Sequence, residues 1–139
     1  MSPDELRAFL DREWPTPLGV IGTIRRDGSP QVVPVWFRWD GEAVRIWSGE
    51  ERVWVKNARR DPRIAFSVQE EKAPFAAVIM RGRAEVATGD DPEIAAEIRR
   101  ITRRYIEPAE VDAYVSSWAG LQTIVRIRPE KITPWGRGY

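Results

Sequence analysis

Two cations at helical spacing are the first residues in this chain that could do chemistry. Arg52 and Lys56 are four apart in the stretch Trp47-Ser48-Gly49-Glu50-Glu51-Arg52-Val53-Trp54-Val55-Lys56-Asn57-Ala58-Arg59-Arg60-Asp61-Pro62. The stretch reads as a strand end, a short polar turn and a helix that stops before Pro62. The first N–H groups of a helix have no internal acceptor and favour an anion. Residues four apart share a helix face, so Arg52 and Lys56 can converge there. The junction is a candidate seat for a phosphate. An ordinary surface helix with solvated charges is the competing account.

The rest of the composition narrows the chemistry. The chain has 139 residues, no Cys and no His. Disulfides, thiolate chemistry, a Ser–His–Asp triad and a typical zinc site are therefore excluded. An enzyme of this composition needs a cofactor to carry the reaction, with the protein supplying position and electrostatics. The net charge of +1 gives no global pull toward nucleic acid or membrane. No apolar run approaches the roughly 20 residues of a membrane span, and the polar N-terminus lacks a secretory apolar core. The expectation is a cytoplasmic protein. Seven Trp in one small chain suggest an interface, a flat ligand or a Trp-rich core.

These residues need elements to position them. Ser2-Pro3-Asp4-Glu5 opens a helix as cap, first-turn proline and capping-box acid, with Leu6, Phe9 and Leu10 on its apolar face. Leu18 to Arg25 is β-like. Asp27-Gly28 signals a hairpin, and Gln31 to Arg38 is the next strand. In that strand Val33, Val35 and Phe37 oppose Val32, Pro34 and Trp36, so both faces are expected to be covered. Pro34 cannot donate to a ladder, so its N side should face something other than a strand. A flat ligand along that edge fits, and so does a bare edge or bulge.

Asp40-Gly41 turns into a strand from Glu42 to Ser48, which runs into the phosphate seat. Arg63 to Gln69 and Phe75 to Ala87 are further strands, with Gly82 marking a bulge. Asp90-Asp91-Pro92-Glu93 starts a helix with the stripe Ile94, Ile98, Ile101 and Tyr105. Arg99, Arg100, Arg103 and Arg104 cover its other, solvated faces. Another helix begins at Pro108, with Val111, Val115 and Trp118 toward the core. Strands follow at Leu121 to Arg128 and Glu130 to Trp135. Many strands joined by tight turns favour an antiparallel barrel with flanking helices, in one domain over residues 1–139. Strands apolar on both faces suggest that a homodimer covers the second face.

The ordered residues carry a resemblance: Leu18-Gly19-Val20-Ile21-Gly22-Thr23-Ile24, Asp27-Gly28-Ser29-Pro30, Pro34-Val35-Trp36-Phe37, Asp40-Gly41, Arg52, Lys56-Asn57, Arg60-Asp61-Pro62-Arg63 and Gly82-Arg83-Ala84-Glu85-Val86. From about Leu18 to Trp135 the chain resembles the split β-barrel flavin- and deazaflavin-binding proteins related to pyridoxamine 5'-phosphate oxidase. The resemblance implies a mainly β, antiparallel split β-barrel that forms a homodimer with cofactor sites at the interface. It implies a phosphate contact at Arg52, with the basic-Asn pair Lys56-Asn57 beside it. It also implies contacts to phosphate and ring from Trp47 and Ser48, and a ring edge against Val33, Pro34, Val35 and Trp36. Trp135 would approach the ring from the partner subunit.

The chain departs from the family at two points. Trp54 stands where many relatives carry Lys, which removes a cation from the seat and makes Trp54 itself a candidate contact. The substrate motif of true pyridoxamine phosphate oxidases is not found in the ending Trp135-Gly136-Arg137-Gly138-Tyr139. The implied function is an oxidoreductase that uses FMN or the deazaflavin coenzyme F-420 to pass hydride to or from a small organic substrate. The alternative is a flavin, deazaflavin or haem/tetrapyrrole binding protein without turnover. A single-stranded nucleic-acid barrel is a third possibility, disfavoured by the near-neutral charge.

Overall fold

The computed structural model describes residues 1–118 and 120–135, the side chain of Trp135 excepted. Helix α1 (Pro3–Leu10) begins as its capping pattern dictates: the Ser2 hydroxyl accepts the Glu5 N–H at 3.1 Å. Strands β1 (Gly19–Ile24) and β2 (Pro30–Val35) pair antiparallel across the Asp27-Gly28 turn. Gly28 takes φ 89° there, a conformation that favours glycine.

The strand expected from Gln31 to Arg38 is broken. It ends at Val35, and Trp36 separates it from β3 (Phe37–Trp39). The reason is closure of the sheet. The seven strands run β2-β1-β5-β6-β7-β4-β3, so β2 and β3 lie at opposite edges although one residue joins them. Only a sheet curled on itself lets Trp36 step from one edge to the other. The result is an antiparallel barrel split along the line where those edges meet.

The remaining elements are β4 (Val44–Gly49), α2 (Val53–Arg60), β5 (Arg63–Gln69), β6 (Ala77–Thr88), α3 (Pro92–Thr102), α4 (Val111–Ser116) and β7 (Gln122–Trp135). A 3-10 turn over Pro108–Glu110 precedes α4, so the helix expected from Pro108 starts in two steps. The two strands expected after Gly120 are one, β7, which pairs with β4 and β6. Its register against β6 slips between Arg81 and Gly82, and this bulge carries the strand past Pro129 without ending it.

Alternation along the strands fills the barrel with Ile21, Phe37, Ile46, Phe66, Met80, Val125 and Ile127. Phe37 and Phe66 meet edge to face at 5.3 Å. Trp54, Val55 and Ala58 of α2 join the same core. On the outer surface α3 lies over β3, β4 and β7, packing Ile98 and Ile101 against Ile124. Its Glu97 is buried, and Arg38 grips that carboxylate through two bonds of 2.7 and 2.6 Å. Among the described residues nothing covers the outer face of β2, and Val32 is 70% exposed.

Candidate functional site

The split leaves a cleft of about 470 Å³, within the usual size of a small-molecule site. One wall is the edge strand β2 from Val33 to Val35, with Trp36 after it. The facing wall is the end of β4, Trp47 to Gly49, with Arg52 and Trp54 beyond it. Tyr114 and Trp118 close the side, and Leu18 and Gln122 complete the lining. Pro34 pairs with Val20 on the outermost strand, where a residue without an N–H is tolerated.

Eight of the eleven residues singled out from sequence meet here: Val33, Pro34, Val35, Trp36, Trp47, Ser48, Arg52 and Trp54. Trp54 is only 5% exposed and divides its surface between the core and the cleft. Lys56 is exposed and does not line the cleft. Asn57 is buried behind it, where its amide donates to Thr23 Oγ1 at 3.2 Å and Gln31 Oε1 at 2.9 Å. These bonds tie α2 to the β1–β2 hairpin. The side chain of Trp135 lies outside the described residues.

The β4–α2 junction is built as a strand end feeding a helix. Arg52 occupies the N-cap position in extended backbone, without a side-chain cap. The N–H groups of the first turn have no acceptor inside the helix. The Arg52 guanidinium lies 5.9 Å from the Trp118 ring centre, at the limit of a cation–π contact. Among the described residues neither Arg52 nor Lys56 forms an ion pair. The Glu51 carboxylate lies beside the junction, against the cleft residue Gly49. An arginine without an ion pair at a helix N-terminus can still stabilise a further negative group.

The cleft also has an aromatic wall. Trp36 stacks on Tyr105 at 4.9 Å with 5° between the planes, and Tyr114 lies 5.3 Å from Trp36. Trp47, Tyr114 and Trp118 meet edge to face at 6.1 Å. Trp47 satisfies its N–H on Gln122 Oε1 at 2.7 Å. Tyr105 holds this wall: its hydroxyl donates to the Pro17 carbonyl at 2.8 Å and accepts the Phe37 N–H at 3.2 Å. It thereby ties the segment before β1 to the start of β3, and burial pushes its phenol above the usual value.

Sequence reading missed Tyr114 and mistook Trp118, which is 44% exposed at the rim instead of in the core. The abundance of Trp was the one available signal. Arg104 is a second correction. It is not on a solvated face but is 5% exposed, and its guanidinium donates to the carbonyls of Phe37, Leu10 and Arg12. Desolvation draws its pKa below the ordinary arginine value.

Comparison with known proteins follows the same line. A family profile described as pyridoxamine 5'-phosphate oxidase matches residues 2–136. Among solved structures, a conserved hypothetical protein from Mycobacterium tuberculosis is 23% identical, with TM-score 0.79, covering 98% of this chain and 85% of that one. An F-420 reductase is 28% identical, with TM-score 0.68, covering 91% of this chain and 94% of that one. A haem-binding protein from Mycobacterium smegmatis is 18% identical, with TM-score 0.70, covering 100% of this chain and 56% of that one. The first and third of these speak for the fold alone. No curated protein matches the chain.

Proposed function

The chain belongs to the pyridoxamine 5'-phosphate oxidase family, and from that membership we propose that it is an oxidoreductase binding FMN or the deazaflavin coenzyme F-420 in the split-barrel cleft. One observation carries the proposal: an aromatic-walled cleft ends at an unpaired arginine and a set of free helix N–H groups. That pairing suits a flat ring with an anionic tail. The likeness to an F-420 reductase supports the deazaflavin arm.

When bound, such a ring supplies hydride transfer, which asks no acid or base of a chain without His or Cys. The protein's part is to hold and enclose. Arg52 and the first-turn N–H groups of α2 would receive the phosphate through charge-assisted bonds. Lys56 adds positive charge one turn further along. The β2 edge would flank the ring, and Trp36, Trp47 and Tyr114 would exclude water from one side of it.

A second copy would cover the other side. Leu18, Val32, Val53 and Leu121 are 48%, 70%, 59% and 57% exposed, and each lies in or next to a cleft-lining residue in sequence. Isolated exposed apolar residues are ordinary, but exposed ones on several of the segments that line one cleft favour an interaction surface there. This favours a homodimer with the cleft at its interface.

The test is an absorbance spectrum after the protein has been mixed with FMN, or with F-420, and repurified. Retention of one ring system, with turnover of the reduced form by a small organic acceptor, is the expected result. Retention without turnover against any acceptor would favour a carrier. If neither ring is retained and neither binds saturably, the reading is overturned.

A further inference from the structure

The turn that joins β4 to α2 carries two adjacent carboxylates. The Gly49 carbonyl accepts the Arg52 N–H at 3.3 Å, which closes the turn over Glu50 and Glu51. The two acids differ in their partners. Glu50 accepts from Arg59 at 3.3 Å. Among the described residues the Glu51 carboxylate has no hydrogen bond and no ion pair. It folds back on Gly49: a Cβ added at Gly49 would overlap it, with Oε2 only 2.8 Å away. Gly49 and Arg52 both line the cleft. In a closed four-residue turn the first and last Cα atoms lie within about 7 Å of each other. An unpaired carboxylate therefore stands beside the phosphate seat.

We propose that Glu51 is a charge selector at this seat, shifting its preference from a doubly charged phosphomonoester toward a singly charged phosphodiester. This rests on the reading of the cleft as a site for a ring with an anionic tail, and it weighs one of the two cofactors against the other. The phosphate of FMN is a monoester and carries about −1.5 to −2 charges at pH 7, because its second pKa is near 6. The phosphate of F-420 is esterified on both sides and keeps a single charge. Arg52 and the first-turn N–H groups of α2 attract either one. The Glu51 carboxylate repels each in proportion to its charge, so the monoester bears up to about twice the penalty. Glu51 is exposed, so water and salt screen the repulsion and keep it modest. Its size should be about three- to tenfold in affinity for FMN and about two- to threefold for F-420. The balance moves toward the deazaflavin.

The test compares affinities for FMN and riboflavin, which differ in the phosphate, and for F-420 and its phosphate-free ribityl form. Each is measured at low salt and at about 1 M salt, where exposed charges are screened. At low salt Glu51→Gln should tighten FMN by about three- to tenfold and F-420 by about two- to threefold. The phosphate-free ligands should bind as they do to the unaltered chain. Glu51→Lys, which puts the opposite charge at the same position, should extend the gain for FMN beyond that of Glu51→Gln. The gains should fade at high salt, which a packing role for Glu51 would not produce. Unchanged affinities, an equal change with and without the phosphate, or a gain that survives high salt overturns the inference and leaves the cofactor reading standing. If the unaltered chain binds none of these ligands, the cofactor reading falls and the selector with it.

Discussion

Arg104 shows how far a single residue can differ from what its neighbours suggest. In sequence it belongs to the run Arg99, Arg100, Arg103 and Arg104, and three of those four are solvated or partly so. Arg104 is turned inward past Phe37, whose ring lies 4.8 Å from the guanidinium. There it satisfies carbonyls from the end of α1 and the start of β3. The planar guanidinium carries five N–H donors in a fixed fork, against three on a lysine ammonium, and so suits carbonyls arriving from several directions. Arg104→Met should therefore destabilise the protein by about 3 kcal/mol, because buried carbonyls are left without donors. A shifted denaturant midpoint with an unchanged slope is the measurement. A change under about 0.5 kcal/mol, the range of an ordinary surface substitution, would contradict the assigned role. Asn57 makes a related point: the sequence puts it beside Lys56, and the fold gives it to Thr23 and Gln31.

At the scale of elements, turn and cap chemistry was readable because it is local. Ser2, Asp91, Gly28 and Gly41 each act within three residues of their own position. Gly82 was legible for the same reason, as a glycine inside an alternating strand. Its reason became visible only in the sheet: a Cβ at this position would overlap the Arg128 carbonyl on β7. Gly82→Ala should force the bulge to shift and cost about 1–3 kcal/mol. The thermal midpoint should fall by on the order of 5 °C, and an unchanged midpoint would mean the bulge relaxes freely. Trp36 was not legible as a break, since nothing in Pro34-Val35-Trp36-Phe37 interrupts β propensity.

At the scale of the whole molecule, the cleft is a by-product of incomplete closure. Seven strands bring the two sheet edges together at Trp36 without a ladder between them. The gap exposes the β2 edge, and α4 and Trp118 wall it from the side. The proposed second copy predicts a dimer in sedimentation velocity. Val32→Glu would place an unpaired carboxylate in that interface, so it should yield monomers and weaken cofactor binding by roughly tenfold or more. A monomeric unaltered chain that still retains cofactor would remove the dimer from the proposal. No helix among the described residues is long and apolar enough to cross a membrane.

Residue order alone carried the strand alternation, the capped helix starts, the hairpin turns and the absence of any His- or Cys-based chemistry. Each of these depends on a residue's type and its immediate neighbours. It also put Arg52 at a strand–helix junction, because an extended run, a polar turn and a helical spacing are all short-range patterns. Folding was needed to bury Arg104 against Leu10, 94 residues away, and to bond Tyr105 to the Phe37 backbone, 68 residues away. It was needed as well to bring Tyr114 and Trp118 over the cleft. Those contacts join distant parts of the chain, and the curvature of a closed sheet, which no short segment encodes, sets which of them meet.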